Sequence, residues 1–235
     1  MIIAANLKTN FTRVQTSKYI DEVEKFLQTN GITQDVLVFP AASSLNTHKG
    51  KITVGAQNAY GTKNGAYTGE IGLDHLDEFG IKTILIGHSE RRHIMGETQE
   101  MIVEKFNFYK EQGFTIVYCI GESLEIREAG NDVMMEFLAS QLEGIDLAYE
   151  KLIVAYEPVW AIGTGLTPTL EDITSLHLEL KKKCSAPLLY GGSVKVTNAK
   201  DVLALDGVDG ILVGSAALYA EHFCTMCEYA QSLDK

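Results

Sequence analysis

Hydrophobic positions along this chain fall into two alternating patterns. Short continuous apolar runs recur from end to end: Ile2 to Ala5, Val36 to Phe39, Ile52 to Ala56, Thr83 to Ile86, Thr115 to Cys119, Leu152 to Tyr156, Pro187 to Tyr190 and Ile211 to Val213. Runs of β-branched and aliphatic residues without polar alternation are what strands buried on both faces require, the habit of parallel sheets. Each run is followed by a polar segment, and several of these carry a helical period. Ser17 to Gln28 places Tyr19, Ile20, Val23, Phe26 and Leu27 on one stripe, and Thr98 to Gln112 does the same with Met101, Ile102, Phe106 and Tyr109. Asn131 or Asp132 is positioned to cap a helix running to about Leu142, and Asp172 to Lys183 and His222 to Ser232 read as further helices. Between the second and third runs, Pro40 to Lys51 has room for only a brief helix.

Eight strands alternating with helices, without a long linker or a low-complexity tract, predict an α/β fold: one closed (β/α)8 barrel filling a single domain, residues 1–235. An open, doubly wound sheet is the alternative that the pattern leaves. The length of 235 residues suits either one such barrel or two small domains. With 46% apolar and 22% charged residues the chain has the composition of a soluble globular protein.

The formal net charge of -11 argues against nucleic acid or an anionic membrane as the main partner. It leaves room for a small anionic substrate, because backbone N–H groups and one lysine set the field inside a site. Met1 to Lys8 has no basic leader and its apolar run breaks at Asn6, so it does not read as a signal peptide. No run reaches the roughly 18 apolar residues of a membrane span. The chain's four cysteines then read as free thiols in a reducing, cytoplasmic setting. Cys224 and Cys227 have C-x-x-C spacing but lie in helix-like sequence without a second ligand pair, and read as packing residues.

Barrel sites form at the C-terminal ends of the strands. Just past each run stand Asn6 and Lys8, Gln57 and Asn58, Gly87 to Arg92, Gly121 and Glu122, Glu157, Gly191 to Ser193, and Gly214 with Ser215. Polar and glycine residues thus gather at one rim. Each taken singly has a structural explanation, as a capped turn or a solvated side chain. Glu157 stands out: an apolar strand delivers it, Pro158 stops the strand behind it, and a glycine-bearing loop with the only Trp, Trp160, follows. That order reads as a base beneath a lid.

Five blocks carry a resemblance to triosephosphate isomerases. They are Asn6-Leu7-Lys8, the stretch from Gly65 to Glu70, Gly87-His88-Ser89-Glu90-Arg91-Arg92, the stretch from Tyr156 to Gly165, and Tyr190-Gly191-Gly192-Ser193-Val194. They stand in that family's order, and with the Gly214-Ser215 block the likeness runs from residue 6 to residue 215. It implies interconversion of dihydroxyacetone phosphate and D-glyceraldehyde 3-phosphate through an enediolate, a step of glycolysis and gluconeogenesis, with no cofactor and no metal.

The same resemblance assigns roles. Glu157 is the base, and closure over it strips water and strengthens it. His88 donates a hydrogen bond as a neutral imidazole, a form favoured if a helix starts at Ser89. Lys8 stabilises the enediolate oxygen and draws in the phosphate, Asn6 orients Lys8, and Glu90 interacts with it. Gly163, Ser193, Gly214 and Ser215 cradle the phosphate on backbone N–H groups. The lid hinges at Pro158-Val159-Trp160 and Leu166-Thr167-Pro168, with Glu122 and Tyr190 bracing it. Thr68 belongs to a loop that reaches a partner subunit, implying a homodimer.

Ser215 replaces a more usual glycine, and Leu166 and Pro168 depart from the usual second hinge. Two rival readings are an isomerase of another sugar phosphate and a catalytically silent barrel used as a binding scaffold. The second expects a lesion at Asn6, Lys8, His88 or Glu157, and all four are present.

Overall fold

The structure is a computed structural model that describes residues 1–162 and 167–233. Its strands are β1 (Ile2–Asn6), β2 (Asp35–Phe39), β3 (Ile52–Val54), β4 (Thr83–Ile86), β5 (Thr115–Ile120), β6 (Leu152–Tyr156), β7 (Leu188–Tyr190) and β8 (Gly210–Val213). They form an eight-stranded sheet in the order β3-β2-β1-β8-β7-β6-β5-β4, each neighbouring pair parallel. The two ends of that order meet through Ala56. Its N–H donates to Thr83 O at 2.9 Å and its carbonyl accepts from Leu85 N at 2.8 Å, a parallel bridge to β4. The sheet is therefore a closed barrel rather than an open doubly wound sheet.

Around it run α1 (Arg13–Thr29), α2 (Leu73–Glu78), α3 (Ser89–His93), α4 (Gln99–Glu111), α5 (Leu124–Glu128), α6 (Asn131–Ser140), α7 (Leu170–Lys183), α8 (Val196–Ala204) and α9 (Ala220–Leu233). A 3-10 turn, Ala42–Ser44, fills the short connection after β2.

The strand runs are continuously apolar because both faces are buried. Ala4, Leu37, Leu85, Val117, Ile153, Leu189 and Leu212 pack together in the barrel interior. Their neighbours Ile3, Val36, Ile84, Ile116, Val154, Leu188 and Ile211 belong to the layer beneath the helices. Side chains two residues apart share a face. The same parity carries forward past the strand ends, so Ala4 is followed on the inner face by Asn6, Ile153 by Ala155 and Glu157, and Leu212 by Gly214.

Several helix expectations need correction. The helix expected from Asn131 or Asp132 to about Leu142 opens at Asn131, with Gly130 at the cap position (φ 112°) and no side-chain cap, and ends at Ser140. Gln141 is its C-cap, with the N–H still donated to Phe137 O at 3.3 Å, and its side chain bonds elsewhere, as described below. Met101, expected on the buried stripe of α4, is 41% exposed. α8 went unpredicted, because Lys195 at its cap lacks an accepting side chain. Asn198 supplies the interaction instead, its Oδ1 accepting Lys195 N–H at 2.8 Å.

Candidate active site

The C-terminal mouth of the barrel opens into a cavity of about 620 Å³. Asn6, Lys8, His88, Glu157, Ser193, Gly214 and Ser215 all line it, with Gly191 and Gly192 between them. Seven of the residues predicted from sequence thus meet in one space, brought there from β1, β4, β6, β7 and β8.

Glu157 leaves β6 with its N–H bonded to Ile120 O at 2.7 Å, so the strand ladder with β5 extends to the carboxylate. It is only 2% exposed. Its Oε2 accepts Ser89 N–H at 2.9 Å, and its Oε1 lies 3.1 Å from His88 Nε2. Gly191 makes room for it: a Cβ there would stand 2.9 Å from Glu157 Cγ. Beside it in the barrel, burial and then the Glu157 carboxylate push the Cys119 thiol well above its ordinary range, so it stays protonated.

His88 is the N-cap of α3, and its Nδ1 accepts Glu90 N–H at 3.2 Å. A ring nitrogen that accepts carries no hydrogen, so in the neutral ring the proton sits on Nε2. The donor therefore points at the carboxylate and the cavity.

Lys8 has φ 52°, the positive φ of a non-glycine residue found at this position alone among the described residues. Its N–H donates to Asn6 Oδ1 at 3.0 Å and its Nζ is paired with Glu90 Oε1. Glu90 also places Oε2 3.7 Å from His88 Nδ1, but it does not line the cavity.

On the opposite wall, Ser193 follows β7, and Gly214 and Ser215 lead into a 3-10 turn, Ser215–Leu218. Gly163 and Leu166 lie outside the described residues. Pro158 caps the 3-10 turn Val159–Ala161 and Ile162 lines the cavity. Pro168 is buried immediately before Thr169, whose hydroxyl accepts Asp172 N–H at 3.1 Å while Asp172 Oδ2 accepts Thr169 N–H at 3.1 Å.

At the end of β6, Glu122 Oε1 accepts Trp160 Nε1–H at 3.0 Å and Tyr156 O–H at 2.9 Å. Burial raises the Glu122 carboxyl above its ordinary range, and those two hydrogen bonds and Arg127 oppose the rise. Tyr190 is fully buried, with no hydrogen-bond partner for its hydroxyl among the described residues. Thr68 does not line this cavity and belongs to the stretch 63–70, whose residues are all exposed.

Sequence reasoning missed the side chains that tie the rim together. Arg127 lies 5.3 Å over the Trp160 ring and reaches Asp172 Oδ1 at 3.2 Å, linking Trp160 to the start of α7. Arg92 donates to Gly87 O at 2.7 Å and Cys119 O at 3.1 Å, joining the ends of β4 and β5. Gln141 bonds both backbone groups of Gly121, at 2.8 and 3.0 Å. The position of Arg92 inside the Gly87 to Arg92 block was the one available signal. Arg127 and Gln141 sit in helix-like sequence with nothing local to mark them.

A closed parallel barrel with a carboxylate, an imidazole and an ammonium at its C-terminal mouth has the build of a (β/α)8-barrel enzyme. The chain belongs to the triosephosphate isomerase family, whose description matches residues 1–230. The triosephosphate isomerase of Sulfurimonas denitrificans is 70% identical over 235 residues, all of this chain and 98% of that one. Those of Sulfurovum sp. and Nitratiruptor sp. are 58% identical over 226 residues and 51% over 233, covering 96% and 99% of this chain and 99% and 100% of theirs. Triose-phosphate isomerisation is accordingly its activity, and another sugar phosphate or a silent scaffold is set aside.

Proposed function

We propose that the whole chain, residues 1–235, acts as one catalytic domain that moves a proton between adjacent carbons of a three-carbon sugar phosphate. Glu157 takes the carbon-bound proton from dihydroxyacetone phosphate or D-glyceraldehyde 3-phosphate, forming an enediolate, and returns it to the neighbouring carbon. The Nε2–H of His88 donates to the substrate oxygens, and the Lys8 ammonium stabilises negative charge as it develops. Asn6 holds the backbone of Lys8, and Glu90 holds its ammonium. The substrate carbonyl is the electron sink, so this step calls on no cofactor or metal.

The observation that carries this reading is the direct approach of Glu157 to His88 within a cavity that also admits Lys8. With Oε2 on Ser89 N–H and Oε1 on His88, the carboxylate is held by groups it must exchange for substrate. Lid closure supplies that exchange in the proposal: Pro158 and Trp160 form one hinge, Pro168 the other, and Glu122 and Tyr190 brace the segment. Gly163 in the lid joins Ser193, Gly214 and Ser215 as the phosphate cradle, the first by resemblance alone.

The test is conversion of D-glyceraldehyde 3-phosphate to dihydroxyacetone phosphate, coupled to NADH oxidation by an added glycerol-phosphate dehydrogenase, with the natural sequence beside Glu157→Ala. Fast turnover with a nearly dead variant is expected. A folded Glu157→Ala protein with full turnover would overturn the assignment of the base.

We further propose a homodimer in which the exposed loop containing Thr68 covers Asn6 and Glu90 of the partner subunit. Support comes from its exposure in the single chain and from the family resemblance. A Thr68→Arg variant is expected to dissociate and lose activity, which light scattering and the coupled assay read together. The proposed place of work is the cytoplasm. Four unpaired, buried cysteines suit a reducing compartment, and no helix among the described residues is long and apolar enough to cross a membrane.

A further inference from the structure

We infer that Gln57 is a positioning residue for Lys8, acting through that lysine's backbone carbonyl. This rests on the reading of Lys8 given above. A lysine in the left-handed region is disfavoured by its own Cβ, so something must hold φ at 52°. Asn6 satisfies the N–H side of the residue. Gln57 satisfies the other side. Its Nε2 donates to Lys8 O at 2.8 Å and to Phe39 O at 2.8 Å, using both amide hydrogens. Phe39 O in turn accepts Leu7 N–H at 3.0 Å, which is the last rung between the β1 and β2 ends. One primary amide therefore fastens the Lys8 peptide to the rigid rim of the barrel, from the loop that follows β3.

The consequence lies in direction. A relaxed Lys8 backbone would rotate the side chain off the inner face set by Ala4 and Asn6, and the ammonium would leave the cavity. Gln57 touches neither the cavity nor the carboxylate, so its effect on chemistry must pass through Lys8. Its hydrogen-bond donors cannot be replaced by an ordinary loop residue, since the two carbonyls need two N–H groups from one side chain.

The test is a double-mutant cycle on kcat/KM for D-glyceraldehyde 3-phosphate, using Gln57→Met and Lys8→Ala singly and together. Thermal midpoint and oligomeric state are measured on each protein. Gln57→Met keeps the length of the side chain and removes both donors. It is expected to lower kcat/KM about ten-fold when Lys8 is present, and by a factor at least about five times smaller in the Lys8→Ala background. A smaller ratio, including the equal losses that a merely structural role produces, overturns the inference. If Gln57→Met does not fold, the same cycle is run with Gln57→Asn, which stays polar but is one methylene too short to bridge both carbonyls, and the same ratio decides. Full activity in Lys8→Ala alone would instead bring down the reading of Lys8, a failure visible without any Gln57 variant.

Discussion

Glu157 Oε1 and His88 Nε2 stand 3.1 Å apart. Since Glu90 N–H already occupies Nδ1, the hydrogen of the neutral ring lies on Nε2, between the two residues. The proposed base and the proposed hydrogen-bond donor are thus in direct contact. Under the proposed mechanism a substrate in the cavity separates them, and each of the two then presents to the substrate the group it had presented to the other.

That arrangement makes a spectroscopic prediction. The side-chain nitrogens of His88 should report Nδ1 as the accepting nitrogen and Nε2 as the protonated one in nitrogen-15 correlation spectra of the neutral ring. A ring protonated at Nδ1 would contradict the geometry, because the Glu90 amide would then meet a second donor. His88→Ala is expected to lower turnover by about 10²- to 10⁴-fold, as loss of a positioned proton donor does.

Glu157→Asp should bind substrate nearly normally while turning over at least about 10²-fold more slowly. Shortening the side chain withdraws the carboxylate by roughly one bond, and misplacements of that order carry such a penalty. Turnover close to that of the natural sequence, measured in the coupled assay, would remove Glu157 from the role of base.

Trp160→Phe tests the proposed bracing of the hinge. The substitution keeps an aromatic ring under Arg127 but withdraws the Nε1–H that Glu122 accepts at 3.0 Å. Glu122 is fully buried, so the lost hydrogen bond is expected to cost about 1–3 kcal/mol of stability. Turnover should fall several-fold with less change in KM, because the hinge and not the cavity is altered. A variant with unchanged thermal midpoint and unchanged turnover would show that this hydrogen bond does not anchor the hinge.

The fold was legible because its signal is redundant. Each strand run is apolar on both faces, and eight of them separated by polar segments leave few architectures. The cavity-lining positions were legible for a related reason, since a polar residue or glycine just past a buried strand has only the rim to occupy. What escaped is what acts at long sequence range. Arg127, in α5, connects Trp160 and Asp172, and Gln57, though placed at the rim by its position after the third strand, finds its partner Lys8 across 49 positions. Nothing in a local pattern distinguishes such side chains from solvated ones. α8 escaped for the opposite reason: the signal was local but inverted, the accepting group being Asn198 inside the helix and not the residue at its cap.

Acid unfolding should proceed in two windows set by two groups, the buried His177 of α7 and the partly buried Glu24 of α1. His177 is fully buried, its Nδ1–H donating to Gly207 O at 3.2 Å, and burial lowers its pKa to about 4. The folded state therefore favours the neutral ring, while the unfolded chain takes up a proton near the ordinary 6.5. This stabilisation is present above about 6.5 and is lost as pH falls from there to about 4. Glu24 behaves as a carboxylate that must stay ionised. Burial pushes its pKa up, but the N–H groups of Lys51 and Ile52, with Gln28 and His48, overcome this and hold it at about 2. Its contribution is present above the ordinary 4.5 and lost as pH falls toward about 2. Glu24 joins α1 to the start of β3, accepting from Lys51 N at 2.9 Å and Ile52 N at 3.1 Å. Glu24→Gln should therefore cost about 1–3 kcal/mol at pH 7 and flatten the stability curve below about pH 4.5, leaving the upper window intact. His177→Phe should flatten the upper window and leave the lower one. Urea titrations at half-unit pH steps would read both slopes. If Glu24→Gln flattened the region between pH 6.5 and 4.5 instead, the assignment of the two windows would be wrong.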